Sequence, residues 1–108
     1  MSDLRAQCLS VLDLTRAILA AAAAGEWDEV SAREAQRQVA LERIFAAEVA
    51  GEADAFLLAD MIEQVREMDK AICETACRER DAIAAELNRL RRGQRQRQAY
   101  LDVADAGV

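Results

Sequence analysis

The stretch ADAFLLADMIEQVREMDKAICETACRERDAIAAELNRLRR, residues 53–92, decides the fold. It contains neither proline nor glycine, the two residues that most readily stop a helix. Leu58, Met61, Val65, Met68, Ile72, Ala76, Ile83, Leu87 and Leu90 follow one another at steps of three, four or seven. At about 100° per residue they share a stripe roughly 100° wide. A helix of this length spans about 55–60 Å at ~1.5 Å per residue. Nothing else in the 108-residue chain is as long. The remaining segments must pack on this stripe or leave part of it bare.

Working outward toward the N-terminus, the stretch is preceded by a turn expected at Glu48 to Asp54, around Gly51. Before it, residues 28–47 read as a second helix with an inner face of Val30, Glu34, Arg37, Leu41, Ile44 and Phe45. Before that, residues 3–24 read as a first helix, capped by Ser2 or Asp3. Its apolar face is Leu4, Cys8, Val11, Leu12, Thr15, Ile18, Leu19 and Ala22. Gly25 ends it, because glycine accepts the left-handed conformation of a C′ residue. Glu26 or Asp28 is placed to serve the start of the second helix, and Trp27 to close over the end of the pair. So short a connection makes the two helices antiparallel neighbours.

The middle of the second helix's inner face is polar, and two readings stay open. One is a thin bundle whose middle is wet. The other is a buried polar layer. Counting from a turn near residue 26 brings Arg37 level with Thr15. Counting from a turn near residue 51 brings Glu34 level with Asp69. Thr15, Glu34, Arg37 and Asp69 would then form a layer that fixes register, since each buried charge is costly without its partner.

Toward the C-terminus, the first two helices are too short to cover the third beyond about residue 75–78. Ile83, Leu87 and Leu90 are therefore expected to stand uncovered. Self-association or the docking of a partner's amphipathic helix would each bury them. Gly93 is the next helix breaker, and a short helix over about 95–104 is expected after it. That segment either continues the third helix or turns back to lay Tyr100, Leu101 and Val103 on the bare stripe. Residues 105–108 should fray.

Composition bounds the rest. Proline is absent and aromatics are 4%, with no alternating β-type pattern, so the chain reads as one all-α domain over residues 1–108. The net charge is −6, which disfavours wholesale nucleic-acid binding. Residues 78–98 nonetheless carry seven arginines against three acids. Cations near the C-terminal end of a helix favour its dipole and keep an apolar ridge soluble. The alternative is a contact for an acidic partner surface.

No catalytic constellation is recognisable. Histidine is absent, and no glycine-rich loop could cradle phosphate. Neither a cofactor nor a metal is expected. Cys8, Cys73 and Cys77 form no CxxC pair, which fits a reducing compartment. Cys73 and Cys77, one turn apart, read as packing residues before they read as metal ligands. The apolar run 18–24 is short and acids precede it, so neither a signal peptide nor a membrane span is expected.

Several of these features together resemble the flagellar export chaperones of the FliT type. They are Gly25-Glu26-Trp27-Asp28 closing an alanine/leucine helix, Arg37 with Leu41 one turn later, the long third helix, and Leu87-x-x-Leu90-x-x-Gly93 followed by Ala99-Tyr100. The resemblance runs over nearly the whole chain. The helices and turns read above make an antiparallel three- to four-helix bundle with a long third helix and a short C-terminal helix, and the resemblance implies a cytoplasmic chaperone without ATPase activity. It implies binding of the flagellar filament-cap protein near that client's C-terminal helical region, and delivery to the type III export apparatus. Some members also bind export ATPase components, or the master transcriptional activator of flagellar genes; a homodimer is what the self-association of the bare stripe would give. The implied client surface is Val65, Met68, Ile72, Ala76, Ile83, Leu87 and Leu90. The implied regulatory tail holds Tyr100, Leu101 and Val103.

Overall fold

The computed structural model describes residues 3–47 and 49–106. Among these the chain is all helical, with α1 Asp3–Ala23, α2 Trp27–Ala46 and α3 Glu52–Ala106. The Ser2 cap, Glu48 of the second turn and the last two residues of the expected frayed end lie outside the described residues.

The chain divides into two compact units, residues 1–76 and residues 77–108. The first unit holds the core, in two clusters. Cys8, Val11 and Leu12 of α1 pack with Ile44 of α2 and with Leu58 and Met61 of α3. Ile18, Ala21 and Ala22 of α1 pack with Val30 of α2 and Ile72 of α3. The start of α1 thus meets the end of α2, and the end of α1 meets its start. Val11, Ile18, Ile44 and Met61 are the largest apolar side chains fully removed from water, each contributing about 1.5–3 kcal/mol of transfer energy. Trp27 is half-buried against the second cluster, where the sequence placed it.

Among the described residues, α1 is the helix long and apolar enough to cross a membrane by length and composition. It spends that apolar face on α2 and α3, and a core helix passes the same test.

The α1–α2 turn closes by hydrogen bonds that only a left-handed residue permits. Gly25 has φ +73°. Its N–H donates to the Ala22 carbonyl at 3.1 Å, and the Glu26 N–H donates to the Ala21 carbonyl at 2.9 Å. This is the paired six-to-one and five-to-two closure of a Schellman motif. The expected side-chain cap on α2 does not form. Glu26 occupies the N-cap position without a capping bond. Its side chain is a methylene longer than the Asp or Asn that fits this geometry. Asp28 and Glu29 still place negative charge in the first turn of α2, which favours its dipole. At the second turn, Gly51 takes φ +104°, and the Asp54 carboxylate reaches back to accept the Ala50 N–H at 3.3 Å.

Within residues 77–108 the structure differs from expectation. There is no separate helix over 95–104, because α3 runs through Gly93 to Ala106. A lone interior glycine costs only about 1 kcal/mol relative to alanine. The good helix formers around it, with no proline, are enough to carry the ladder across.

Candidate functional site

Two groups of residues stand out, one polar and one apolar, and they lie in different units. The polar group ties α1, α2 and α3 together. Arg37 Nη1 donates to Asp69 Oδ1 at 2.7 Å and, more loosely, to Thr15 Oγ1 at 3.4 Å. Thr15 is fully buried, and its hydroxyl donates in turn to the Val11 carbonyl at 2.8 Å. The Arg37 side chain keeps 15% of its surface and Asp69 keeps 40%, so the pair sits at the edge of the core, partly shielded. Such a pair specifies which turns face one another more than it adds net stability.

The sequence brought Thr15, Arg37 and Asp69 together correctly. Glu34 is not with them, because it is exposed on α2. It sits about 60° round the helix from Arg37, and Phe45 about 80°. Both fall off the stripe of Val30, Arg37, Leu41 and Ile44, and Phe45 is likewise exposed. The expected inner position of these two residues is therefore corrected.

The apolar group lies on α3 beyond residue 76. Ile83, Leu87 and Leu90 keep 55%, 47% and 53% of their surface. Continued at about 100° per residue, the same face reaches Leu101. The other expected client-binding residues are placed differently. Val65 and Met68 pack against the first core cluster, Ile72 is buried in the second, and Ala76 is half-buried. The apolar atoms of Val65, Met68 and Ile72 are already packed in the two core clusters. Of the two courses left open for the tail, the structure takes the continuation of α3. Tyr100, Leu101 and Val103 are exposed residues of α3 itself rather than a flap laid on the ridge.

Further exposed apolar residues escaped the sequence reading. Phe56 is the most exposed of them, with Val49 nearby in sequence and Leu9 and Val39 on α1 and α2. A signal for Phe56 was available, since it lies about 180° round α3 from the stripe through Leu58 and Met61.

Chemistry is sparse. A hollow of about 310 Å³ opens between α1 and α3, lined by Arg5, Cys8, Leu9, Leu12, Arg16, Leu57, Asp60, Met61 and Gln64. The Cys8 thiol at its floor is pushed above its ordinary value, first by burial and then by the charge of Asp54. A thiol held protonated in this way is a poor nucleophile. Cys73 and Cys77 are exposed and free.

No curated protein and no solved structure matches this chain. A family model does: that of the flagellar protein FliT, over residues 5–102. The match runs through both units, from the first helix, through the Gly25 turn and the Thr15–Arg37–Asp69 tie, to the apolar face of α3. This chain belongs to the FliT family of flagellar proteins.

Proposed function

We propose that this protein is a cytoplasmic chaperone of flagellar type III export. It binds the C-terminal helical region of the filament-cap protein and delivers that client to the export apparatus, where export ATPase components receive it. On this reading residues 1–108 work as one domain, an antiparallel helical bundle lengthened by α3. No catalytic step, cofactor or metal enters the proposal. The observation that carries it is the family match over residues 5–102 joined to a bare apolar ridge of Ile83, Leu87 and Leu90. A non-enzymatic chaperone needs such a surface, because it holds a client by burying the client's own apolar face. Val65, Met68 and Ile72 pack in the core of the first unit and Ala76 is half-buried, so the proposed client surface is confined to the ridge.

The test is isothermal titration of the full chain with the C-terminal segment of the filament-cap protein. Wild type binds. Leu87→Asp weakens binding by about 100-fold, the loss expected when three half-exposed apolar side chains no longer bury together. A segment that does not bind wild type overturns the proposal. The second reading, a helical oligomerisation module, rests on the seven-residue spacing of Ile83 and Leu90. It predicts that Leu87→Asp changes only the oligomeric state seen in sedimentation.

A further inference from the structure

The segment Leu87 to Leu101 contains five arginines and neither aspartate nor glutamate, in a chain whose net charge is −6. The ordinary explanation for arginines near a helix end is the macrodipole, and here it does not apply. The dipole acts within the last turn. α3 ends at Ala106, its last turn holds no basic residue, and Asp105 in that turn has the unfavourable sign. Arg91, Arg92 and Arg95 stand two or more turns earlier.

Nor are these arginines used by their neighbours. Arg89 pairs with Glu86 at 2.6 Å, but Arg91, Arg95 and Arg97 make no ion pair among the described residues. Arg91 and Arg95 are one turn apart, a like-charge spacing that weakens an isolated helix. Both line one surface hollow together with Arg97 and Leu101. By helical angle, Ile83, Leu87, Leu90 and Leu101 share an arc of roughly 60°. Arg91 and Arg95 border it on one side and Arg97 on the other.

We infer that the partner helix seated on this ridge carries carboxylates along its own flanks, paired with Arg91, Arg95 and Arg97. The inference rests on the chaperone reading above and names the chemistry of its client. A guanidinium fork meets a carboxylate through two parallel hydrogen bonds, so the flanks would set register while the leucines supply burial. A second copy of this chain is a poor occupant, because its ridge would bring the same arginines against these. Single-stranded nucleic acid is also a poor occupant, because Tyr100 is the only aromatic residue in the unit and lies about 100° off the ridge.

Two synthetic amphipathic helices of about 20 residues test this, sharing one leucine stripe but flanked by either glutamate or glutamine. Each is titrated into the full wild-type chain and into the Arg91→Gln/Arg95→Gln/Arg97→Gln variant, whose exposed substitutions leave the core untouched. The glutamate peptide should bind wild type about tenfold more tightly than the glutamine peptide, and the gap should close in the variant. Added salt should narrow it.

Equal binding of the two peptides, binding of neither, or a gap that survives in the variant overturns the inference. So does a dimer that Leu87→Asp dissociates and that excludes the peptides, or an oligonucleotide that outbinds the glutamate peptide. The cap-protein titration separates the two claims. If that segment binds through Leu87 while the two peptides bind alike, the client chemistry is wrong and the chaperone reading stands. If the segment fails to bind, the chaperone reading falls whatever the peptides do.

Discussion

One helix carries two lengths of the same apolar pattern with opposite fates. Up to residue 76, the stripe of α3 is spent: Leu58, Met61 and Ile72 are buried against α1 and α2. Beyond it, Ile83, Leu87 and Leu90 keep about half their surface in water. Leucine and isoleucine at helical spacing serve in both. Periodicity therefore says that a face exists, and the lengths of the neighbouring helices say whether it is core or surface.

The sharpest way to break this contrast is to put the same charge into both lengths. Ile72→Asp should cost 4 kcal/mol or more, on the order expected for an unpaired charge in a core, and should leave residues 1–76 unfolded. Leu87→Asp should change stability by no more than about 0.5 kcal/mol while weakening client binding by about 100-fold. Urea unfolding followed by Trp27 fluorescence reads the first, since that ring packs on the cluster containing Ile72. Comparable destabilisation by both substitutions would show that the two lengths do not differ.

A second contrast sets a shielded ion pair against an exposed one. Arg37→Ala strips Asp69 and Thr15 of their donor and should cost about 1–3 kcal/mol. Arg33→Ala breaks only the exposed pair with Glu29, recorded at 2.7 Å, and should cost less than about 1 kcal/mol. Equal melting temperatures for the two variants would remove the tie from the account.

The two glycines give smaller effects of opposite sign. Gly25→Ala forces an alanine to φ +73° and should destabilise by about 1–2 kcal/mol. Gly93→Ala meets no neighbouring atom and should stabilise its stretch of α3 by about 0.5–1 kcal/mol. Amide exchange around residue 93 checks the second.

The cysteines give the mildest test. Cys73 and Cys77 should alkylate at once and Cys8 only on unfolding. Because burial raises the Cys8 thiol, the unfolded chain ionises first as pH rises past its ordinary value of 9.0. The stability this thiol contributes is thus complete below that pH and declines above it, a slope that Cys8→Ala should flatten.

Much of this could be read before any coordinates. Three helices follow from spacing and from the glycines, and the partnership of Thr15, Arg37 and Asp69 follows from counting turns outward from two hairpins. Where the sequence misled, angle decided. Glu34 and Phe45 looked internal because one neighbours the stripe and the other is apolar, yet 60–80° of rotation puts both in water. Gly93 looked like a stop because glycine is a poor helix former, but a cost of about 1 kcal/mol does not break a ladder that good formers extend on both sides. Val65, Met68 and Ile72 could not be separated from Ile83 and Leu87 by residue type, since burial depends on what lies opposite.

The buried hydroxyl of Thr15 gives the three-helix tie a polarity. It has one proton, and that proton is committed to the Val11 carbonyl. Toward α2 it can therefore only accept. An arginine satisfies this and a carboxylate cannot, so the charges of the Arg37–Asp69 pair are not interchangeable. Exchanging them would preserve every charge count and still leave two acceptors facing each other across the α1–α2 seam. Direction, rather than attraction, is what makes residue 37 the place for the cation.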